Sequence, residues 1–291
     1  MKPLLLTWPG NEPLGASLQA ALDAEPLAFS TRRFPDGETY LRLDTDVRQR
    51  AVVVLATLRD PDSRFLPLAF ASDALRDLGA RSVGLAAPYL AYMRQDRRFA
   101  AGEALTSATF ARLVSSHFDW LVTVDPHLHR RKSLAEIYSI PAAVVHAAPL
   151  LADWVRDNVP DPLLVGPDAE SEQWVRAVAA AVPCPHLVLE KTRRGDRDVS
   201  VSAVPAQEMY AGRTAILIDD IISSARTMIE TVRQWTGSGL PGPVCLAVHG
   251  VFAAQAYESL HAAGAARIVT SNSIAHASNG IDVGGLMAGP V

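Results

Sequence analysis

The sequence predicts an α/β protein made of two doubly wound domains with mostly parallel sheets. Short apolar runs alternate with amphipathic, Ala-, Leu- and Arg-rich segments along all 291 residues, the rhythm of strands and the helices that cover them. One run, Ala215-Ile216-Leu217-Ile218, is wholly apolar, as expected of a strand buried on both faces. Several runs end in carboxylates and turn residues, where open parallel sheets bind ligands.

Taken in order, the expected strands include 51–56, 82–86, 120–124, 162–165, 187–189, 215–218, 244–248 and 267–270. Helical patterns fall at 67–78, 107–116, 171–181, 226–235 and 254–263. The boundary falls near 140–149, where Pro141-Ala142-Ala143 follows one helix and Pro149 opens another. This divides the chain into domains 1–143 and 144–291, with four or five strands each.

Composition narrows the function. Hydrophobic residues make up 49% and charged residues 20% of the chain, which describes a globular protein with a large core. A net charge of −4 gives no global field for nucleic acid, so any phosphate must be bound locally. Cys184 and Cys245 are the only cysteines, too few for a disulfide framework or a cysteine-based zinc site. The apolar start Leu4-Leu5-Leu6 is too short for a signal peptide and is broken by Pro9, and no apolar stretch is long enough to span a bilayer. A soluble, cytoplasmic protein is expected.

The most informative stretch runs from Ala215 to Thr227. An apolar strand leads into Asp219-Asp220 and then Ser223-Ser224-Ala225-Arg226-Thr227, which opens a helix. Ser223, Ser224 and Thr227 offer hydroxyls to a phosphate, beside the unpaired N–H groups of a helix start. Carboxylates next to such a loop suit the hydroxyls of a phosphorylated sugar. The plain alternative is a strand-to-helix turn capped by Ser and Thr. Val165-Gly166-Pro167-Asp168 repeats the design; Asp168 offers hard oxygens to Mg²⁺ or caps the following helix.

Other strand ends carry further chemistry. Arg94-Gln95-Asp96-Arg97-Arg98 can grip a polyphosphate. Asp125-Pro126-His127-Leu128-His129 places a carboxylate and two histidines after another strand. That His-x-His spacing resembles metal-dependent hydrolases, with His146 and His249 as further ligands, although Pro126 argues against a regular strand through the pair. Lys191 and Arg193 lie in a charge-dense segment that could close over a transferring phosphoryl group or be solvated surface. Phe34-Pro35-Asp36-Gly37-Glu38 is turn chemistry.

Together, in order and spacing, these segments resemble the ribose-phosphate diphosphokinase (phosphoribosyl pyrophosphate synthetase) family, nearly end to end. The resemblance implies phosphoribosyltransferase-like domains, an ATP side in 1–143 and a ribose-phosphate side in 144–291. It implies that Phe34, Asp36 and Glu38 reach adenine across a subunit interface, in a homodimer or higher homo-oligomer, and that Arg94, Gln95, Asp96 and Arg97 bind ATP. His127 and Asp168 would hold Mg²⁺, with Asp168 also near the ribose. Lys191, Arg193 and His127 would be catalytic. Asp219 and Asp220 would hold ribose hydroxyls, and Ser223, Ser224, Ala225, Arg226 and Thr227 the 5-phosphate. The implied reaction transfers the diphosphoryl group of ATP to the C1 hydroxyl of ribose 5-phosphate, needing alignment and charge stabilisation more than a nucleophile.

The loop departs from the family's usual Asp-Thr-Gly-Gly-Thr, since Ala225 and Arg226 stand at the two glycines. Glu170-Ser171 also stands where a glycine pair is usual. Both changes are on the acceptor side, which leaves open another phosphosugar acceptor or a non-catalytic regulatory paralogue. A phosphoribosyltransferase would share the acidic phosphate loop but would not need the 94–97 segment.

Overall fold

The computed structural model of the protein describes residues 1–189 and 212–291 in full, and 191–194 and 198–201 by backbone. Two compact units emerge. One is Met1–His146 with Ser273–Ala275 and Val283–Val291; the other is Ala147–Asn272 with His276–Asp282.

The first unit holds β1 (Leu4–Thr7), α1 (Glu12–Leu22), β2 (Glu25–Pro26), β3 (Phe29–Arg33), β4 (Thr39–Leu43), β5 (Ala51–Leu55), α2 (Pro61–Asp77), β6 (Ser82–Ala87), α3 (Thr106–His117), β7 (Trp120–Val124) and β8 (Ala142–Val145). Its sheet runs β2-β1-β5-β6-β7-β8, parallel throughout. The apolar runs at 51–55 and 82–87 are its buried central strands, as both-face burial requires. β3 and β4 form a separate antiparallel hairpin. Helix α2 begins at Pro61, earlier than the expected 67, and carries Pro67 inside it. Proline at the first helical turn needs no N–H partner, so Pro61 starts the helix, and Pro67 sits nearly two turns further on, where it cannot donate to the carbonyl four residues back.

The second unit holds α4 (Ala148–Asn158), β9 (Pro162–Gly166), α5 (Glu172–Ala181), β10 (His186–Val188), β11 (Lys191–Arg194), β12 (Asp198–Val201), β13 (Thr214–Ile222), α6 (Arg226–Gly237), β14 (Val244–Gly250), α7 (Ala256–Ala262), β15 (Arg267–Ser271) and β16 (Asn279–Ile281). Its sheet runs β10-β9-β13-β14-β15-β16, again parallel. Leu163, Val165, Leu217, Val232, Cys245 and Leu260 anchor its core. β11 and β12 form an antiparallel ribbon. Helix α8 (Gly284–Ala288) packs on α1 in the first unit, whereas a single cut after residue 143 assigns it to the second half.

The strand expected at 215–218 runs on through both aspartates to Ile222. Its neighbour β14 runs alongside, pairing Asp219 with Ala247 and Ile222 with Gly250, and that ladder carries the carboxylates inside the sheet. The helix expected from 254 starts at Ala256, because Phe252 and Ala254 are left-handed. Among the described residues no helix is long and apolar enough to cross a membrane.

Within the first sheet Gly84 faces Trp120 across β6 and β7. A Cβ at Gly84 would fall inside the Trp120 indole. Gly84→Ala is therefore expected to destabilise by about 1–3 kcal/mol through overpacking, seen as a lower thermal midpoint, while Gly84→Ala with Trp120→Leu recovers most of the loss.

Candidate active site

Each sheet has one place where chain order reverses, and that is where open α/β sheets leave a crevice at the strand ends. In the second sheet it lies between β9 and β13. Asp168 follows β9, Asp219 and Asp220 lie near the C-terminal end of β13, and 223–227 link β13 to α6. The topology thus gathers the whole expected sugar-phosphate set at one crevice.

Asp168 caps a 3₁₀ turn at Ala169–Ser171, its Oδ1 accepting from the N–H groups of Glu170 at 3.1 Å and Ser171 at 3.3 Å. Ser171 Oγ donates back to the Asp168 carbonyl at 2.6 Å. Ser171 is fully buried, and this packing is what a serine in place of a glycine does here. The capping alternative for Asp168 is realised, and it fixes a half-buried carboxylate facing the acidic pair.

Asp220 is buried and Asp219 half-buried. Burial, then the charges of Asp220 and Asp168, hold the Asp219 carboxyl well above the ordinary carboxylate range. Three hard-oxygen groups that repel one another fit a divalent cation such as Mg²⁺, which favours carboxylates and phosphate oxygens.

The loop 223–227 answers what its missing glycines do. Ala225 has φ 57° and ψ 10°, the left-handed conformation, immediately before α6. Glycine is the residue that adopts this freely, and alanine costs about 1–2 kcal/mol there. Arg226 is instead the first helical residue, where glycine has no conformational advantage. Only one of the two substitutions is thus strained. Ser223 and Thr227 are half-buried, Ser224 and Arg226 exposed, and the Ala225 methyl is buried.

In the first sheet the reversal lies between β1 and β5, and the chain itself fills it. Asn11, buried, accepts from the Thr57 N–H at 2.9 Å and donates to the Trp8 carbonyl at 2.8 Å. Thr57 Oγ1 donates to the Ser273 carbonyl at 2.6 Å. The expected ATP-side residues lie elsewhere in this unit. Phe34, Asp36 and Glu38 are exposed at the tip of the β3–β4 hairpin. Arg32 stacks its guanidinium on Phe34 and Tyr40 at 4.5 and 4.6 Å. Beside the tip lies a cavity of about 880 Å³ lined by Arg33, Asp36, Glu38, Leu66 and Phe70 among others.

The loop after β6 carries Arg94 to Arg97. Gln95 Oε1 accepts from Thr106 Oγ1 at 2.9 Å, and the Asp96 carboxylate accepts from Arg130 at 3.2 Å. Both side chains therefore order the loop, while Arg94 and Arg97 are exposed. Tyr92, left-handed at φ 61°, donates to Asp62; that hydrogen bond, with burial, pushes its phenol up to about 12. After β7, Asp125 turns left-handed and ends the strand, yet the rings of His127 and His129 still meet, centroids 3.9 Å apart.

Two contributors escaped the sequence reading: Arg130 holds Asp96, and Arg131 donates to the Asp96 carbonyl and Ser107 Oγ at 3.2 Å each. Of the residues offered as a metal set, Asp125 pairs with His146 Nδ1 at 2.7 Å. The basic run Arg130-Arg131-Lys132 beside the histidines was the available signal. Lys191 and Arg193 stand two positions apart on β11, with β12 against α6; their side chains, with Glu190 and 195–197, lie outside the described residues.

Comparison with known proteins gives first the class: residues 133–281 match the phosphoribosyl transferase domain. Residues 4–117 match the N-terminal domain of ribose phosphate pyrophosphokinase. The chain is 32% identical over 263 residues to a ribose-phosphate pyrophosphokinase of Methanopyrus kandleri, covering 90% of this chain and 89% of the relative. It is 30% identical over 279 residues to that of Methanothermobacter thermautotrophicus, covering 96% of each. A crystal structure of phosphoribosylpyrophosphate synthetase from Mycobacterium smegmatis shares the fold, with TM-score 0.84, 23% identity, and coverage of 99% of this chain and 97% of that one. The chain belongs to the ribose-phosphate pyrophosphokinase family. The α/β class and the enzyme class read from the sequence are thereby confirmed.

The acidic pair has a cost that can be measured. As pH rises past the ordinary aspartate value of 3.8, the unfolded chain releases the Asp219 proton while the folded chain keeps it. Native stability therefore falls across that window. Asp219→Asn removes the penalty. Its thermal midpoint is expected to exceed wild type at pH 7 and to converge with it below pH 3.8, followed by calorimetry across pH.

Proposed function

We propose that this chain transfers the diphosphoryl group of ATP to the C1 hydroxyl of ribose 5-phosphate, giving phosphoribosyl pyrophosphate and AMP. The observation that carries the reading is the single crevice between β9 and β13, where Asp168, the Asp219–Asp220 pair and the hydroxyl loop 223–227 converge. Family membership supplies the reaction class.

In this reading Asp219 and Asp220 bind the ribose hydroxyls. The loop 223–227 and the N-terminus of α6 hold the 5-phosphate, using the loop hydroxyls, backbone N–H groups and the positive end of the helix dipole. Residues 144–291 form the sugar-phosphate side and 1–143 the ATP side. There Arg94 and Arg97 hold phosphates, Gln95 and Asp96 shape their loop, and Phe34, Asp36 and Glu38 contact adenine of a neighbouring subunit in a homo-oligomer. The C1 hydroxyl attacks the β-phosphorus and AMP leaves. Lys191, Arg193 and His127 neutralise charge that develops on the transferred group. His127 and Asp168 would hold Mg²⁺, which when bound neutralises phosphate charge. The reaction belongs in the cytoplasm, where both substrates are made. Arg226, a cation at the helix start that glycine would not supply, favours a second reading in which the acceptor is a different phosphosugar.

³¹P NMR of the protein with Mg-ATP and ribose 5-phosphate is expected to show AMP and a diphosphate ester on the sugar. ADP with a sugar monophosphate ester would overturn the reading in favour of γ-transfer. Lys191→Ala is expected to lower kcat by about 10²–10³, the usual loss of one charge-stabilising group, and chelation of Mg²⁺ to stop turnover. Unchanged ribose 5-phosphate kinetics in Ala225→Gly with Arg226→Gly would remove the second reading.

A further inference from the structure

Beyond β14 the backbone does something that a regular strand cannot. The last paired residues of the two strands are Ile222 and Gly250. Past them, the N–H of Phe252 donates to the Ile222 carbonyl at 2.9 Å, and the next N–H, of Ala253, donates to the Ser223 carbonyl at 3.1 Å. In an extended strand successive N–H groups point to opposite sides. Two consecutive donors reach the same neighbour only if the chain turns between them, and the turn is at Phe252, with φ 44°. For a bulky residue this is a true outlier of the kind held in place by its surroundings at functional sites.

The surroundings that hold it are visible. The Phe252 side chain is buried, with its ring 4.5 Å from His276 and 5.2 Å from Tyr257, centroid to centroid. His276 and Tyr257 meet in turn at 4.7 Å. The His276 ring is fixed by the Ser278 N–H, which donates to Nδ1 at 3.1 Å. Gly250 leaves the room: a Cβ there would lie 2.6 Å from the Phe252 ring.

We propose that Phe252 is a positioning residue for the sugar-phosphate loop. Its left-handed backbone aims two adjacent N–H groups at the carbonyls of Ile222 and Ser223, and its wedged ring keeps it left-handed. Both carbonyls belong to the segment entering 223–227. Tied to β14, they cannot rotate towards an anion, and the donors of the loop and of α6 are the groups that face it. The inference rests on 223–227 being the 5-phosphate cradle, as proposed above.

The test is a series at position 252 in the full chain, Phe252→Gly, Phe252→Ala and Phe252→Val, with kcat, both KM values and the thermal midpoint measured. If backbone conformation is what matters, KM for ribose 5-phosphate rises most with Val, less with Ala and least with Gly, which alone adopts the conformation without strain. The Val increase is expected to be roughly tenfold, in line with the left-handed penalty, with kcat and KM for ATP nearly unchanged. If Phe252 only fills the core, damage follows lost volume, Gly worst and Val mildest, with stability and both KM values moving together. That order overturns the proposal, as does a flat series. If the Val protein does not fold, Ala against Gly gives the same contrast. A wild-type protein that turns over ribose 5-phosphate normally with a flat series refutes this inference alone; one that does not turn it over refutes the reading beneath it as well.

Discussion

Carrying two adjacent carboxylates into an apolar parallel sheet is the constraint around which the second unit is built. A strand interior gives a charge neither water nor a counter-ion, so the pair is tenable only at a strand end that opens into a crevice. The extended ladder of β13 with β14 keeps Asp219 and Asp220 in register to that point, and Asp168 arrives from β9 on the other side. The result is a concentration of negative charge that disfavours its own ionisation. The destabilising repulsion among the carboxylates and their readiness for cations and sugar hydroxyls have the same electrostatic origin.

The two sheets use one topology to opposite ends. In the second, the crevice at the reversal is lined with acids and hydroxyls. In the first, the equivalent crevice is closed by Asn11, Thr57 and the Ser273 carbonyl. The Asn11 amide and the Thr57 hydroxyl in that plug are both hydrogen-bonded, as buried polar groups require. The first unit accordingly places its exposed chemistry on appendages, the β3–β4 hairpin and the loops after β6 and β7.

Much of this was legible in the sequence, and the limits have physical causes. Central strands such as β5, β6 and β9 announced themselves because burial on both faces demands unbroken apolar runs. The edges did not: β2 has two exposed residues and β16 three residues, too few for any period to register. β3 and β4 are polar enough to read as a turn with flanks. The run of β13 to Ile222 was hidden because an aspartate pair reads as the end of a strand, and only the partner strand overrides it. The site residues on β9 and β13 were legible because local strand-turn-acid patterns repeat. The plug was not, since Thr57 and Ser273 are 216 positions apart. Arg130 and Arg131 were in plain view, but a basic run alone does not say which loop it holds.

The return of α8 to α1 has a consequence for the order in which the molecule assembles. Gly284 has room only for its hydrogen beside Ser17 and Leu18, so this is a close-fitting seam. The residues that complete the first unit, Ser273–Ala275 and Val283–Val291, are made only after strands β9 to β15 of the second unit. Domains generally fold as they emerge, the earlier one first. Here the earlier one waits, with α1 and the Thr57 hydroxyl uncovered, for its last pieces. During synthesis the second unit can therefore reach its final packing before the first.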